Sequence, residues 1–277
     1  MRLDPEVRAA CLATLKAEAR TDYLTNLLLP EPLRDPHLAL RAFHAELVSV
    51  PFKVREAMAG QIRLQWWRDV VERKRDVEAR SNPAAAALLA FLDHLPEGAA
   101  ALASKVDAHE ADLYGDAPTD LNALEGYAGE TRSVLYQLVI RAADAGEANR
   151  TSDASGHAGV AEYMAETLVN WPAFRPQGRA VVPDALLRDA GADREAWLGP
   201  VDPATEAAIV GRWAEIGASH ADAARAAVPV GTAKSVFRPL RYFGLVTDLA
   251  RARPAAVREY GVRIGALRQQ WLLLRGP

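Results

Sequence analysis

At 277 residues, half of them hydrophobic, the chain can bury a sizeable core without disulfide or metal staples. A formal charge of −3 and a pI near 6.1 speak against a surface built to bind nucleic acid. The single cysteine, Cys11, excludes an internal disulfide framework and a cysteine-rich metal site, and is expected to be a half-buried thiol in a reducing compartment.

Charges enter every turn of the first 23 residues, a pattern unlike a secretory signal. No stretch approaches the roughly 20 apolar residues that span a bilayer. The expected location is cytoplasmic, at most peripheral at the inner membrane. Apolar residues recur at helical spacing and no sheet is expected. The pattern predicts helices near residues 5–18, 21–29, 36–50, 53–77, 83–94, 97–113, 118–146, 155–171, 203–227 and 234–274, the last broken near Pro254. Their starts are marked by prolines beside polar residues, as at Pro36, Asn82-Pro83, Pro118 and Asp202-Pro203. Leu40, Phe43, Leu47 and Val50 form one apolar stripe; Ile62, Trp66 and Val70 form another, and Ile209, Trp213 and Ile216 a third. Residues 146–155 read as a polar loop, and 175–201 as mixed with at most short helices. With no repeat and no flexible linker, residues 1–277 read as a single all-α domain.

Five passages carry a resemblance. They are Asp22-Tyr23-Leu24 through Leu33-Arg34, the frame Ala39–Phe43, the run Arg63–Arg68 (RLQWWR), Ala111–Leu138, and Gln177–Leu187 (QGRAVVPDALL). In this order and spacing they resemble the squalene/phytoene synthase family, which implies a helical bundle around a central cavity. Enzymes of that family use two acidic motifs on facing helices, with carboxylates at i and i+4 projecting from one helix face. Magnesium needs oxygen ligands, and it neutralises the diphosphate that leaves an allylic substrate.

Placed on this sequence, the first motif falls at Val48 and Phe52, with Ser49 between them. The second, counted back from Gly178-Arg179, falls at Glu166, Asn170 and Phe174, where Glu166 alone can be anionic. The resemblance therefore implies a family member without the family's ionisation chemistry, with no catalytic residue, no metal and no cofactor. Magnesium belongs only to the alternative, a transferase condensing isoprenoid diphosphates through an altered site. The residues Ala42–Leu47, Arg63–Arg68 and Tyr127–Ser133 are similar to a branch that includes a mitochondrial complex I assembly factor related to phytoene synthase. That branch implies work by binding, in assembly of a respiratory membrane complex, with an apolar isoprenoid-like ligand or a complex subunit as partner.

The candidate binding residues are His44, Trp66, Asp112, Tyr127, Glu166 and Asn170. Asp112 and Tyr127 match family positions that face the cavity. One ring of Trp66-Trp67 is expected to pack internally and the other to lie at an interface. His44 also reads as a core histidine satisfied by backbone. The remaining histidines are dispersed without zinc-binding spacing. The acidic run Asp107, Glu110, Asp112 and Asp116 reads as capping or solvated, and Ser133 has no triad-like neighbours. The carboxy-terminal helix carries Arg258, Arg263, Arg268 and Arg275 beside Val262, Leu267, Trp271 and Leu274. It could rest on an anionic membrane, and docking on the domain explains it equally well.

Overall fold

Aspartate and asparagine side chains set six of the helix starts among the described residues. Asp4, Asn82, Asp120, Asp144, Asp193 and Asp202 each accept backbone N–H bonds in the first turn that follows. Pro5, Pro83 and Pro203 occupy first-turn positions, where a missing N–H removes no helical bond. The computed structural model describes residues 1–115 and 117–277, apart from the Arg175 side chain.

Among the described residues there are seventeen α-helices and no strand. They are α1 (Pro5–Glu18), α2 (Arg20–Leu28), α3 (Glu31–Lys53), α4 (Ala57–Val71), α5 (Asp76–Ala79), α6 (Pro83–His94), α7 (Ala99–Ala108), α8 (Leu121–Ala128) and α9 (Val134–Ala143). The chain continues with α10 (Ala145–Arg150), α11 (Ser152–Phe174), α12 (Asp184–Asp189), α13 (Arg194–Leu198), α14 (Pro203–Ala227), α15 (Leu240–Ala252), α16 (Pro254–Tyr260) and α17 (Ala266–Arg275). The all-α class expected from the sequence is the class observed. The chain packs as two compact units. One holds Met1–Leu113, Val134–Ser152 and Pro229–Phe237; the other holds Tyr114–Ser133, Asp153–Val228 and Arg238–Pro277. Neither is a continuous segment that could be cut out.

Several boundaries differ from expectation. Helix α3 starts at Glu31 rather than Pro36, because Asn26 Nδ2 and Arg34 Nε bind the carbonyls of Arg34 and Leu29 and fix the entry. The expected loop 146–155 is helical: Asp144 caps α10, and the Thr151 hydroxyl binds the Glu147 and Ala148 carbonyls at its end. The expected helix 118–146 divides, since a widened π turn over Gly129–Ser133 separates α8 from α9.

In the first unit α1, α6 and α9 pack on α3, and α4 packs on α6 and α7. Leu40, Phe43, Leu47 and Val50 are all buried, as their spacing implies. Each such side chain contributes about 1.5–3 kcal/mol relative to exposure. The second expected stripe is wrong by part of a turn. Ile62 is 67% exposed and Trp66 only half-buried, while α4 buries Leu64, Trp67, Val70 and Val71. Trp67 meets Phe43 edge-on at 5.2 Å, and Arg68 pairs with Glu72 and Asp107, which ties α4 to α7. The RLQWWR run therefore joins helices. Cys11 is fully rather than half buried, and its Sγ faces the Pro83 carbonyl.

In the second unit α14 packs on α15 and α16, and α17 packs on α15. Ile209, Trp213 and Ile216 are buried as expected. Trp171, Trp197 and Trp213 meet edge-on, with the Trp213 indole N–H donating to the Met164 carbonyl at 3.1 Å. Among the described residues no single helix is long and apolar enough to cross a membrane.

Candidate functional site

Helix α3 presents His44, Val48 and Phe52 at four-residue intervals, the face on which the family pattern would place carboxylates. His44 is buried and meets a side chain of another helix. Its Nδ1 lies 2.9 Å from Nζ of Lys105, a lysine of α7 that is fully buried. Lys105 Nζ is also 3.4 Å from His109 Nε2, and His109 Nδ1 is 2.8 Å from Asp112 Oδ2. Lys105 thus bridges the two imidazoles, and its polar head is held in a buried hydrogen-bonded chain that ends at the Asp112 carboxylate.

The sequence singles out His44 and Asp112 as binding candidates, but as isolated positions. Lys105 and His109, which join them, are not singled out. Their i,i+4 spacing on α7 was the available signal. Valine and phenylalanine stand on this face where the resemblance places acids, and its polar group is the His44 imidazole one turn earlier. Trp66 points elsewhere, its indole N–H bound to Glu78 Oε1 at 3.1 Å and its ring edge-on to Trp67. Asp107 of the acidic run pairs with Arg68, and Asp116 lies outside the described residues.

In the second unit the π turn buries Arg132. Its Nη2 and Nε lie 2.9 and 3.0 Å from Glu166 Oε2, its Nη1 donates to Thr131 Oγ1 at 3.0 Å, and its guanidinium covers the Tyr163 ring at 4.8 Å. Tyr127 meets Tyr163 edge-on at 5.4 Å. Burial alone would lower the Arg132 pKa, but the charges of Glu166, Tyr127, Glu162 and Tyr163 raise it above the ordinary arginine value. It is a permanent cation.

Glu162 is a second carboxylate beside Arg132, outside the three positions at which the motif falls. It lies one turn earlier on α11 and is 2% exposed. Glu162 and Glu166 form an i,i+4 pair that begins one turn before the positions Glu166, Asn170 and Phe174 read from the sequence. Both act on Arg132. Asn170 is exposed and turns back, its amide donating to the Glu166 carbonyl of its own helix at 3.0 Å.

Ser133 is a packing residue. Its Oγ donates to the Gly156 carbonyl at 3.0 Å, and a Cβ at Gly159 would lie 2.4 Å from the Ser133 backbone nitrogen. The π turn therefore sits directly against α11, which is how Arg132 comes to face Glu166. In the Gln177–Leu187 passage, Gly178 carries a φ of 67° and its carbonyl would stand 2.8 Å from a Cβ on Gly115, itself at φ 68°. His157 and His220, apart in sequence, meet with Nδ1 atoms 3.0 Å apart, and Glu125 lies 3.4 Å from His220 Nε2.

The sequence model of squalene/phytoene synthases matches residues 15–271, which takes in both units. The chain belongs to the squalene/phytoene synthase family. Among curated proteins it is similar to human NADH dehydrogenase (ubiquinone) complex I, assembly factor 6, with 28% identity over 188 residues. The match covers 68% of this chain and 56% of the human protein. The bovine protein of the same name is 27% identical over the same shares. The matched stretch thus spans little more than half the length of these relatives.

Among solved structures, a dehydrosqualene synthase in complex with ligand aligns with a TM-score of 0.80 at 14% identity, covering 98% of this chain and 95% of its own. Squalene synthase HpnC from Alicyclobacillus acidocaldarius aligns at 0.70 with 16% identity, covering 92% and 95%. These two establish the fold as that of the isoprenoid synthases.

The residues at the first motif do not fit the family's magnesium cluster, since positions 48 and 52 offer no side-chain oxygen; at the second, Glu162 and Glu166 are carboxylates and Glu166 is bonded to a buried guanidinium.

Proposed function

We propose that this family member works by binding rather than by prenyl transfer, in the assembly of a complex I-like respiratory complex, peripheral at the membrane that houses it. The observation that carries the reading is the buried Arg132, a permanent cation bonded to Glu166 and close to Glu162 on the helix that would carry the second acidic motif, together with valine and phenylalanine at the first motif's positions. A side chain that is permanently charged and hydrogen-bonded in place can hold an anionic head group without a metal. It cannot release and rebind as magnesium does with a leaving diphosphate. The names of the curated relatives support the assembly role, and the isoprenoid-synthase fold supports an apolar, isoprenoid-like ligand or a complex subunit as the thing bound.

Deleting the gene should lower the amount of assembled complex I on native gels, and restoring the chain should recover it. Unchanged assembly would refute the reading. The Glu162/Glu166 pair favours the second reading, a transferase with an altered site, because two carboxylates at i,i+4 on one helix can share a divalent ion with a substrate's phosphates.

A further inference from the structure

Helix α17 is apolar on two opposite faces. Gln269, Leu272 and Leu273 are buried against the unit, and Arg238 and Arg241 hold its carboxy-terminal carbonyls. On the other side Leu267, Trp271 and Leu274 are 83%, 52% and 61% exposed. They fall within about 60° of arc, directly opposite the docked face. Docking on the domain therefore accounts for one face only and leaves three large apolar side chains in water.

The charge around this stripe is one-sided. Residues 238–277 contain eight arginines against Asp248 and Glu259, a net of +6 in a chain whose total is −3. From Gly261 onward there are Arg263, Arg268 and Arg275 and no acid. Arg268 and Arg275 stand at the edge of the apolar stripe, and the Arg275 guanidinium lies 4.4 Å from the Trp271 ring centre. Leucines flanked by arginines, with an indole between them, match a bilayer interface. The apolar stripe enters the acyl boundary, tryptophan stays at headgroup depth, and guanidiniums meet lipid phosphates.

We infer that the outer face of α17 docks the protein on an anionic lipid surface. The inference rests on the peripheral placement proposed above and names the surface that makes it. The test is co-sedimentation of the full chain with phosphatidylcholine vesicles, with and without phosphatidylglycerol. Binding should be at least about tenfold greater on the anionic vesicles and should weaken as salt is raised.

The double variant Leu267→Ser/Leu274→Ser changes only exposed positions and should keep its thermal transition. It and Arg268→Glu/Arg275→Glu should each lose about tenfold or more of the binding. Bromine-labelled lipid should quench emission from the parent more than from Trp271→Phe. Equal binding to neutral and anionic vesicles, or variants that bind like the parent, would overturn the inference. So would a solution dimer that Leu267→Ser/Leu274→Ser dissociates, since the stripe would then cover a second copy. If vesicle binding fails while complex assembly still depends on the chain, only this surface falls and the binding function stands.

Discussion

Replacing Arg132 by methionine should be among the costliest single changes in the molecule. The change keeps much of the apolar stem but removes the guanidinium bonds to Glu166 and Thr131 and the contact over Tyr163. It also leaves the buried Glu162 carboxylate without its neighbouring cation. Removing one member of a buried pair costs about 3–5 kcal/mol, mostly because the partner stays desolvated. Glu166→Gln should cost less, about 1–2 kcal/mol. Its side chain is 40% exposed, so water replaces part of what is lost, and Glu162 still compensates the arginine. For a chain of this size the first change corresponds to a fall of roughly 6–20 °C in Tm. Urea denaturation and scanning calorimetry of both variants check the order. If Arg132→Met costs under about 1 kcal/mol, or no more than Glu166→Gln, then Arg132 is not the fixed counter-charge described here.

Gly159→Ala should destabilise by about 1–3 kcal/mol through overpacking, because the new methyl meets the Ser133 backbone and neither helix can yield alone. Ser133→Ala, which loses one hydrogen bond, should cost less, and equal costs in urea would contradict the close approach. His37 and His220 both have pKa values held below the ordinary 6.5. For His37 the causes are burial and then the Arg41 charge; for His220 they are burial and the His157 charge, with Glu125 opposing. The unfolded chain takes these protons first, so stability should be level above pH 6.5 and fall below it, by at most about 1.4 kcal/mol per pH unit for each group. His220→Gln should show a shallower fall between neutral pH and pH 5.5; an unchanged slope would remove His220 from the explanation. Burial, with the Glu46 charge, pushes the Cys11 thiol up to about 11, so the native protein should react with a disulfide reagent at pH 8 far more slowly than the urea-unfolded chain. Comparable rates would mean the thiol is reachable.

The fold was legible because it is written in repeated signals. The stripe Ile209, Trp213 and Ile216 and the cap at Asp202 state one helix twice, in spacing and in start residue. What failed were places where a tertiary contact overrides local pattern. Ile62 continues an apolar spacing but lies outside the buried arc set by Trp67 against Phe43. The segment 145–150 looks polar and loose, yet Asp144 and Thr151 close it as a helix. In the site, Val48, Phe52 and Phe174 showed which acids are missing. Lys105 and Arg132 are far in sequence from His44 and Glu166, and only the fold brings each pair within hydrogen-bonding distance. Glu162 stands four residues before Glu166, outside the three positions the motif covers, and only the fold shows that it lies beside Arg132.

The most direct test of binding over catalysis is incubation of the full chain with farnesyl and geranylgeranyl diphosphates and magnesium, followed by extraction and analysis of the hydrocarbon products. With valine and phenylalanine at positions 48 and 52 and Glu166 bonded to Arg132, no condensed product above the protein-free control is expected. Product formation that is abolished by Glu166→Ala would contradict the account and establish the transferase.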